Sequence, residues 1–330
     1  MGEPRPENIE FAWHAKANLE THAMGGWKTE HGEAAPAASN LWVVLTDFNG
    51  ATQTRQCLAA LSGSLGCAPQ VVVVDHGTNS ETAELLSREF PHVTRVEASS
   101  ALWWTGAINA GIQFARSAGA TRIVLLNNDC YVQPDTLFHL TKLSEKNPDA
   151  IIASVQRDLQ SQFIESLTIT CNFLLGFPTR PGVISVSKAQ LAQGLIPTRL
   201  IQGGRGALIP IEIFRKVGLF DSEAFPHYGA DHDFYLRAHA AGVPLYVSLH
   251  ALVDVDTTRT SSAANPTEIS FSQFRDSLRS IRSHRSIRHV SPLFRRHFPI
   301  PYLYRLGVFL FAARYSLKYV VGRIFSTMGK

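Results

Sequence analysis

The sequence predicts an α/β fold built on a mostly parallel sheet with helices on both faces. Three observations carry that reading. Short apolar runs without polar alternation, such as Val71–Val74 and Arg122–Leu126, mark strands buried on both faces. Segments of helical period stand between them: Ile108, Gly111, Ile112 and Ala115 fall at i, i+3, i+4 and i+7. Several of these runs stop at clusters of turn-forming residues, the pattern of βαβ units with right-handed crossovers. With 330 residues, 45% apolar and 18% charged, the chain is neither disordered, collagen-like nor a mini-protein needing covalent staples.

Residues 1–39 are polar, show no sustained period and are assigned no fold or function beyond a flexible segment. Glu3, Glu7 and Glu10 with no apolar core argue against a secretory signal, and Glu33-Ala-Ala-Pro-Ala-Ala-Ser-Asn40 reads as a linker. Leu41–Thr46 is an apolar run closed by Asp47-Phe-Asn-Gly50, and a helix is expected from there to about Ser64. After Val71–Val74, Thr78-Asn-Ser-Glu81 has capping-box spacing and opens a helix towards Phe90. Val93–Val96 follows as a strand, Thr105–Ser117 as a helix, and Arg122–Leu126 as a strand stopped by Asn127-Asn-Asp129. The stretch Ile151–Leu200 is less regular, with strands at Thr168–Phe173 and Gly182–Val186. A second block runs from Ile201 through Gln202-Gly-Gly-Arg-Gly206, a helix at Ile211–Val217, another at Asp231–Ala241, and strand at Leu245–Val255. The expected units are residues 1–39, a catalytic domain at 40–265 divided near 150, and a basic helical tail at 266–330.

The net charge of +4 conceals an uneven distribution. From Phe271 to Lys330 there are twelve Lys/Arg against one acid, Asp276, and the remaining nineteen basic and twenty-six acidic residues leave the body net acidic. Tails of this kind usually meet anionic lipid or nucleic acid. Four cysteines, Cys57, Cys67, Cys130 and Cys171, form no CxxC pair, which favours a reducing compartment over a disulfide framework or a cysteine zinc site.

Position is the informative property of the acids. Asp47, Asp75 and Asp129 each lie just past the end of an expected parallel strand, where open α/β sheets bind ligands. Three such acids suit a polar, hydroxyl-bearing ligand, a bound cation, or both; the plainer alternative is that Asp and Asn favour turns. No GxGxxG follows the first strand and no GxxxxGK[ST] occurs, so backbone amides offer no evident phosphate cradle. Carboxylates beside a diphosphate would repel it without a hard divalent cation, so Asn127-Asn-Asp129 points to Mg²⁺ or Mn²⁺. In Pro226-His-Tyr-Gly-Ala-Asp-His-Asp233, Asp231 at a helix start would be stabilised as the anion and able to act as a base. The alternatives are an N-cap at Asp231 and an i, i+4 pair between Asp233 and Arg237.

Five motifs in order, from about Leu41 to Thr260, resemble the family 2 inverting glycosyltransferases of the GT-A fold, a Rossmann-like mostly parallel sheet. Val71-Val-Val-Val-Asp-His-Gly-Thr78 resembles the family's VVVDNGS strand and turn. Leu102-Trp-Trp-Thr-Gly-Ala-Ile-Asn-Ala-Gly-Ile112 resembles its G-x-N-x-G-I helix start, and Leu125-Leu-Asn-Asn-Asp129 the LNND form of the DxD metal motif. Gly204-Arg-Gly-Ala-Leu-Ile-Pro210, with Val217-Gly-Leu-Phe-Asp221, resembles the acceptor-side segment, and Pro226–Phe234 the motif that carries the catalytic base. The resemblance implies a nucleotide-diphosphate sugar held by Asp47, Asp75, Trp104, Gly106, Asn109, Asn127 and Asn128. It implies a metal at Asp129, a base at Asp231, and Arg205, Gly206 and Asp233 on the acceptor or phosphate side. Asn127 replaces the first Asp of DxD, and Ala230 replaces the Glu that commonly precedes the base. Where many members place a metal-binding His, this chain reads Val253-Asp-Val-Asp-Thr257, so either Asp256 substitutes or the position is lost; His250 lies several residues early. The Trp-Trp-Thr-Gly and Pro-His-Tyr-Gly-Ala-Asp pieces resemble rhamnosyltransferase-like members of bacterial surface-polysaccharide pathways, which implies dTDP-rhamnose as a donor and a glycan or lipid-linked acceptor.

The expected chemistry is a single displacement with inversion, Asp231 deprotonating an acceptor hydroxyl. Trp103 and Trp104 either stack on a ring or brace the helix. Tyr302–Gly322 is interrupted by Arg305, Arg314 and Lys318, which argues against a bilayer span. Leu306, Phe309, Leu310, Ala313, Leu317 and Val320 share one helical face, the pattern of an interfacial helix on an anionic leaflet, with Arg279, Arg282, Arg285 and Arg288 adding attraction. The alternatives are a helix packed on the catalytic domain or on a second subunit as a homodimer. The expected location is the cytoplasm, peripheral on the inner face of the cell membrane. A non-catalytic carbohydrate-binding or scaffold protein keeping the fold is a second reading, against which intact Asp129 and Asp231 argue. Nucleic acid is not an expected partner, since no recognition-helix, RRM or zinc-finger motif is present.

Overall fold

A computed structural model describes residues 8–11, 40–181, 184–259 and 269–328. Of the N-terminal segment, only Asn8–Phe11 lies among them, and it forms strand β1. The other elements in chain order are β2 (Leu41–Asp47), α1 (Ala51–Ser62), β3 (Gln70–Asp75), α2 (Glu81–Glu89), β4 (Thr94–Glu97), α3 (Trp103–Ser117), β5 (Arg122–Asn127), β6 (Cys130–Val132) and α4 (Thr136–Lys146). They continue with β7 (Ile151–Asp158), β8 (Ile164–Ser166), β9 (Ile169–Asn172), β10 (Phe177–Pro181), β11 (Ile184–Ser187), α5 (Lys188–Gln193), β12 (Leu195–Thr198) and β13 (Arg205–Pro210). The chain then forms α6 (Ile211–Val217), α7 (Ala230–Ala240), β14 (Leu245–Val255), α8 (Phe271–Ser277), α9 (Ile287–His297) and α10 (Tyr304–Met328).

The main sheet runs β12-β14-β7-β13-β5-β2-β3-β4, with β6 paired to β14 and β8 to β7. Strands β5, β2, β3 and β4 are parallel, as their unbroken apolar character predicts, and β14 is parallel to β7. Strand β13 is antiparallel to both neighbours, β5 and β7, and so closes the two parallel groups into one sheet. β1 pairs antiparallel with β11 in a separate ribbon, giving part of the N-terminal segment a place the sequence did not indicate.

Side chains alternate across β2, so two cores form on opposite faces of the sheet. Trp42 and Val44 pack with Ile108 and Ile112 of α3 and with Phe214 and Phe234, whereas Leu41, Val43 and Leu45 pack with Leu58, Leu86 and Leu137. The first core also takes in Leu293, Phe294 and Phe311, so α9 and α10 share the core of the α/β domain.

The capping box expected at Thr78 does not form. Its backbone N–H donates instead to Asn49 Oδ1 at 2.7 Å, and the helix starts after Ser80. Strand β7 and helix α4 are further elements that the sequence pattern did not single out.

Helix α3 approaches the sheet through Gly111, where an added Cβ would lie 2.4 Å from Val44 Cγ1 and 2.9 Å from Val74 Cγ2. Both neighbours are β-branched and stiff, so neither can swing aside. Gly111→Ala should destabilise the fold by about 1–3 kcal/mol, read as a lowered urea midpoint at unchanged slope. An unchanged midpoint would show that the helix can ride further from the sheet.

Candidate active site

The C-terminal ends of β2, β3 and β5 lie side by side, with Asp47 opposite Asp75 and Thr46 opposite Asn127. Asp47 is fully buried, and its carboxylate accepts from Gly50 N at 3.1 Å, Thr82 Oγ1 at 2.9 Å, Asn128 Nδ2 at 3.1 Å and closely from Thr54 Oγ1. Asn128 Nδ2 also reaches Thr54 Oγ1 at 3.1 Å. Asp47 and Asn128, both expected at the donor, thus have side chains engaged in knitting the turns together.

Asp75 is also buried, accepting from Arg95 Nε at 2.9 Å and Gly77 N at 3.2 Å. Beside it His76 is 5% exposed and its ring centroid stands 5.3 Å from that of Phe48, which is 48% exposed at the rim. Sequence reasoning passed over Phe48 and His76; the available signal was an aromatic residue inside each strand-end turn.

After β5, Asn127 Oδ1 accepts from Trp104 Nε1 at 3.1 Å, which fixes the indole plane along the crevice. Asp129 is largely withdrawn from water, and burial raises its carboxyl above the ordinary range; Arg205 opposes that rise and Asp256 adds to it. The Asp256 N–H donates to the Asp129 carbonyl at 2.8 Å, so the end of β14 delivers the second carboxylate to the first. The Asp256 Oδ1 accepts from Thr258 N at 3.0 Å and from Thr258 Oγ1, and the desolvated Asp129 carboxylate beside it suits a hard divalent cation that completes its shell with ligand oxygens and water. Among the described residues no group of three or more His, Cys, Asp and Glu could hold a metal, so protein ligands alone do not complete such a site. His250 lies elsewhere, its ring centroid 5.6 Å from that of His139.

Asp231 sits in the first turn of α7, whose N-cap is Gly229 and not Asp231. Its Oδ2 accepts from Gly203 N at 2.8 Å and stands 3.6 Å from His232 Nε2, and the side chain is 18% exposed. The segment Gly203-Gly-Arg205 then joins the parts of the site. Gly203 holds Asp231; a Cβ on Gly204 would lie 3.1 Å from the Trp104 ring and 3.5 Å from Asn127 Oδ1; and Arg205 acts on Asp129.

Four other residues read as ligand contacts have structural partners. Asn109 clasps Phe220 through its carbonyl and its N–H at 2.8 and 3.2 Å. Gly206 forms the bulge that starts β13, with φ +81° and no room for a Cβ against Val253 and Ser154. Asp233, expected on the acceptor or phosphate side, is fully buried and bound by Arg237, Arg296 and His297, which realises the helical i, i+4 alternative. Gly106 packs against Leu102, where a Cβ would come within 2.9 Å.

Residues 42–187 match the model of the family described as Glycosyl transferase family 2. Among solved structures, 214 chains match, including the crystal structure of GalNAc-T7 with UDP, GalNAc and Mn²⁺. That likeness has a TM-score of 0.57 at 12% identity and covers 87% of this chain and 58% of that one. The chain thus spans 58% of the length of that solved relative. No curated protein matches the chain by sequence. Residues 42–187, less than half of the chain, are thus similar to family 2 glycosyltransferases, and the fold is that of a GT-A glycosyltransferase with a C-terminal helix present.

Three buried or half-buried imidazoles, His76, His227 and His289, flank this crevice, and each has an Nδ1 without a hydrogen-bond partner among the described residues. Burial lowers all three pKa values, that of His227 to about 4, with His289, His76 and Arg282 adding repulsion there. The folded state therefore binds these protons less tightly than the unfolded chain, whose histidines titrate near 6.5. Stability is held above that pH and drains as pH falls towards 4. The melting temperature should drop between pH 7 and pH 5, and His227→Gln should flatten that slope; parallel slopes for the two proteins would refute the assignment.

Proposed function

We propose that this protein is an inverting glycosyltransferase that moves a sugar from a nucleotide-diphosphate donor to a hydroxyl of a glycan or lipid-linked acceptor. One observation carries the reading: Asp231 Oδ2 is fixed by the Gly203 N–H, while Oδ1 takes no hydrogen bond among the described residues. A carboxylate oriented at one oxygen and open at the other is arranged to receive a proton. The helix N-terminus favours its anionic form.

In this reading, Oδ1 takes the acceptor hydroxyl proton as that oxygen bonds to the anomeric carbon. The bond from that carbon to the diphosphate oxygen breaks on the opposite side, and the nucleoside diphosphate leaves with the electron pair. Trp104, locked by Asn127, offers an apolar face to the sugar, and Arg205 faces the charge gathering on the diphosphate. Asp75 and the Phe48–His76 pair border the place for the nucleoside. Asp129 and Asp256 would hold Mg²⁺ or Mn²⁺, which when bound offsets the charge of the leaving group. The motif resemblance supports dTDP-rhamnose as one donor and surface-polysaccharide synthesis as the setting.

Thermal shift with dTDP, UDP, GDP and their sugars, each with Mn²⁺, Mg²⁺ or EDTA, should show one nucleotide stabilising the protein only with metal. Asp129→Ala should abolish that metal dependence. Asp231→Asn should leave the shift intact and lower turnover by about 10²–10⁴. Near-normal turnover in Asp231→Asn would remove the base assignment.

A peripheral membrane location on the cytoplasmic side belongs to the same proposal. Among the described residues, no helix is long and apolar enough to cross a membrane. Helix α10 nevertheless has two apolar faces. Phe311 and Tyr319 are buried, whereas Leu306, Phe309, Leu317, Val320 and Ile324, spaced at three, eight, three and four residues, are 48–65% exposed. The surrounding tail is strongly basic, as an interfacial helix on anionic lipid requires. Joint replacement of Phe309, Leu317 and Ile324 by Ser should abolish flotation with phosphatidylglycerol vesicles without changing the melting temperature. Unchanged flotation would exclude this face as the contact.

A further inference from the structure

The geometry points to Arg296, on α9 in the C-terminal segment, as a positioning residue for the base at Asp231; the inference rests on that base assignment. Asp231 is reached through the loop 222–229, which leads from Asp221 into α7. Arg296 grips both ends of this loop. One guanidinium nitrogen, Nη2, makes a close ion pair with Asp221 Oδ2, and Nη1 donates to Asp233 Oδ1 at 3.2 Å. Between those two anchors the guanidinium carbon lies 5.5 Å from the centre of the Phe225 ring. A planar fork that serves two carboxylates and an aromatic face is a task for arginine, since lysine offers a single point charge.

The anchors are themselves tied down. Asp221 Oδ1 accepts from Glu223 N and Ala224 N at 3.1 and 2.9 Å, shaping the start of the loop. Asp233 is fully buried, its Oδ2 held by Arg237 Nε at 2.7 Å and its Oδ1 also by His297 Nε2 at 3.0 Å. Arg237 in turn donates to the carbonyls of Val217 and Leu219 at 2.6 and 2.9 Å. The far side of the loop is pinned to α3: Thr105 Oγ1 donates to the Phe225 carbonyl at 2.6 Å and Thr105 N to that of Pro226 at 3.1 Å. Asp231 lies two residues before Asp233 in the same helical turn. Releasing the Arg296 grip frees the approach to α7 and lets the carboxylate at Asp231 drift from its Gly203 contact, while Asp75, Asp129 and Trp104 keep their own partners. The loss therefore falls on turnover and spares donor binding.

The test compares Arg296→Gln, Arg296→Lys and Asp221→Asn with wild type in the full chain, by hydrogen–deuterium exchange and by steady-state kinetics. The kinetic probe is whichever of dTDP-rhamnose, UDP-galactose and GDP-mannose gives the thermal shift, with hydrolysis to free sugar as readout. Arg296→Gln should speed exchange over 222–233 without affecting β2, β3 and β5, and lower kcat by about 10- to 100-fold at a donor KM within about twofold. Arg296→Lys should fall between, and Asp221→Asn, which removes one anchor at a half-buried site, should repeat the effect in milder form. Unchanged exchange over 222–233 in all three variants overturns the proposal whatever the kinetics, as does a parallel loss in kcat and donor affinity. If Asp231→Asn keeps its turnover, the base reading fails separately, and the exchange experiment still decides whether Arg296 fixes the loop.

Discussion

The buried carboxylate of Asp47 is the constraint on which the crevice depends. It ends the central parallel strand and draws together four segments that the chain supplies far apart: the turn at Gly50, α1 through Thr54, α2 through Thr82, and the loop after β5 through Asn128. None of these four partners is an arginine or a lysine; each is a neutral dipole. A carboxylate with that many donors is well solvated by the protein, whereas removing it would strand several buried donors at about 1–3 kcal/mol each. The same contacts fix the start of Asn127-Asn-Asp129, and thereby the direction in which Asp129 and Trp104 face the crevice.

Given that frame, the site is divided between two halves of the sheet. The parallel half supplies Asp75, Trp104 and Asp129 from strand ends and a helix start. The second half supplies Asp231 and Asp256, and the antiparallel strand β13 brings the halves together. Its lead-in, Gly203-Gly-Arg205, touches both the proposed base and the proposed cation site. Gly204 is small enough to pass beside the Trp104 ring, and the bulge at Gly206 lets the strand enter the sheet directly after the crevice.

Much of this fold was legible in the sequence for a physical reason. Strands β2, β3 and β5 are apolar along their length because both faces are covered, and each ends in a polar turn. Strand β7 was illegible because its polar residues find buried partners that local pattern does not reveal. Ser154 donates to the Gly206 carbonyl, Gln156 to that of Gln202, and Arg157 pairs with Asp254. At the site, sequence position singled out the strand-end acids Asp47, Asp75 and Asp129, whose burial and partners the structure then supplies. Position did not reveal how many donors each acid receives, which separates Asp47 and Asp233 from Asp231. Thr78 failed as a cap for a similar reason: a side chain 29 residues away, Asn49, competes for its backbone.

The C-terminal segment shows the same limit in another form. Of the stripe that helical period marks, Leu306, Phe309, Leu317 and Val320 are exposed while Leu310 and Ala313 are half-buried, and the helix carries a second apolar stripe through Phe311 and Tyr319. Aromatic packing decides which of them docks. Gly307 lets α10 close on Phe294 and Phe298, where a Cβ would lie 2.4–2.6 Å from the rings, and Phe294 stands edge-on to Phe173 at 5.0 Å. That contact fills the core beneath α9 and sets the depth at which Arg296 and His297 meet Asp233. The inner face of the segment thus shares the domain core and completes the support of α7.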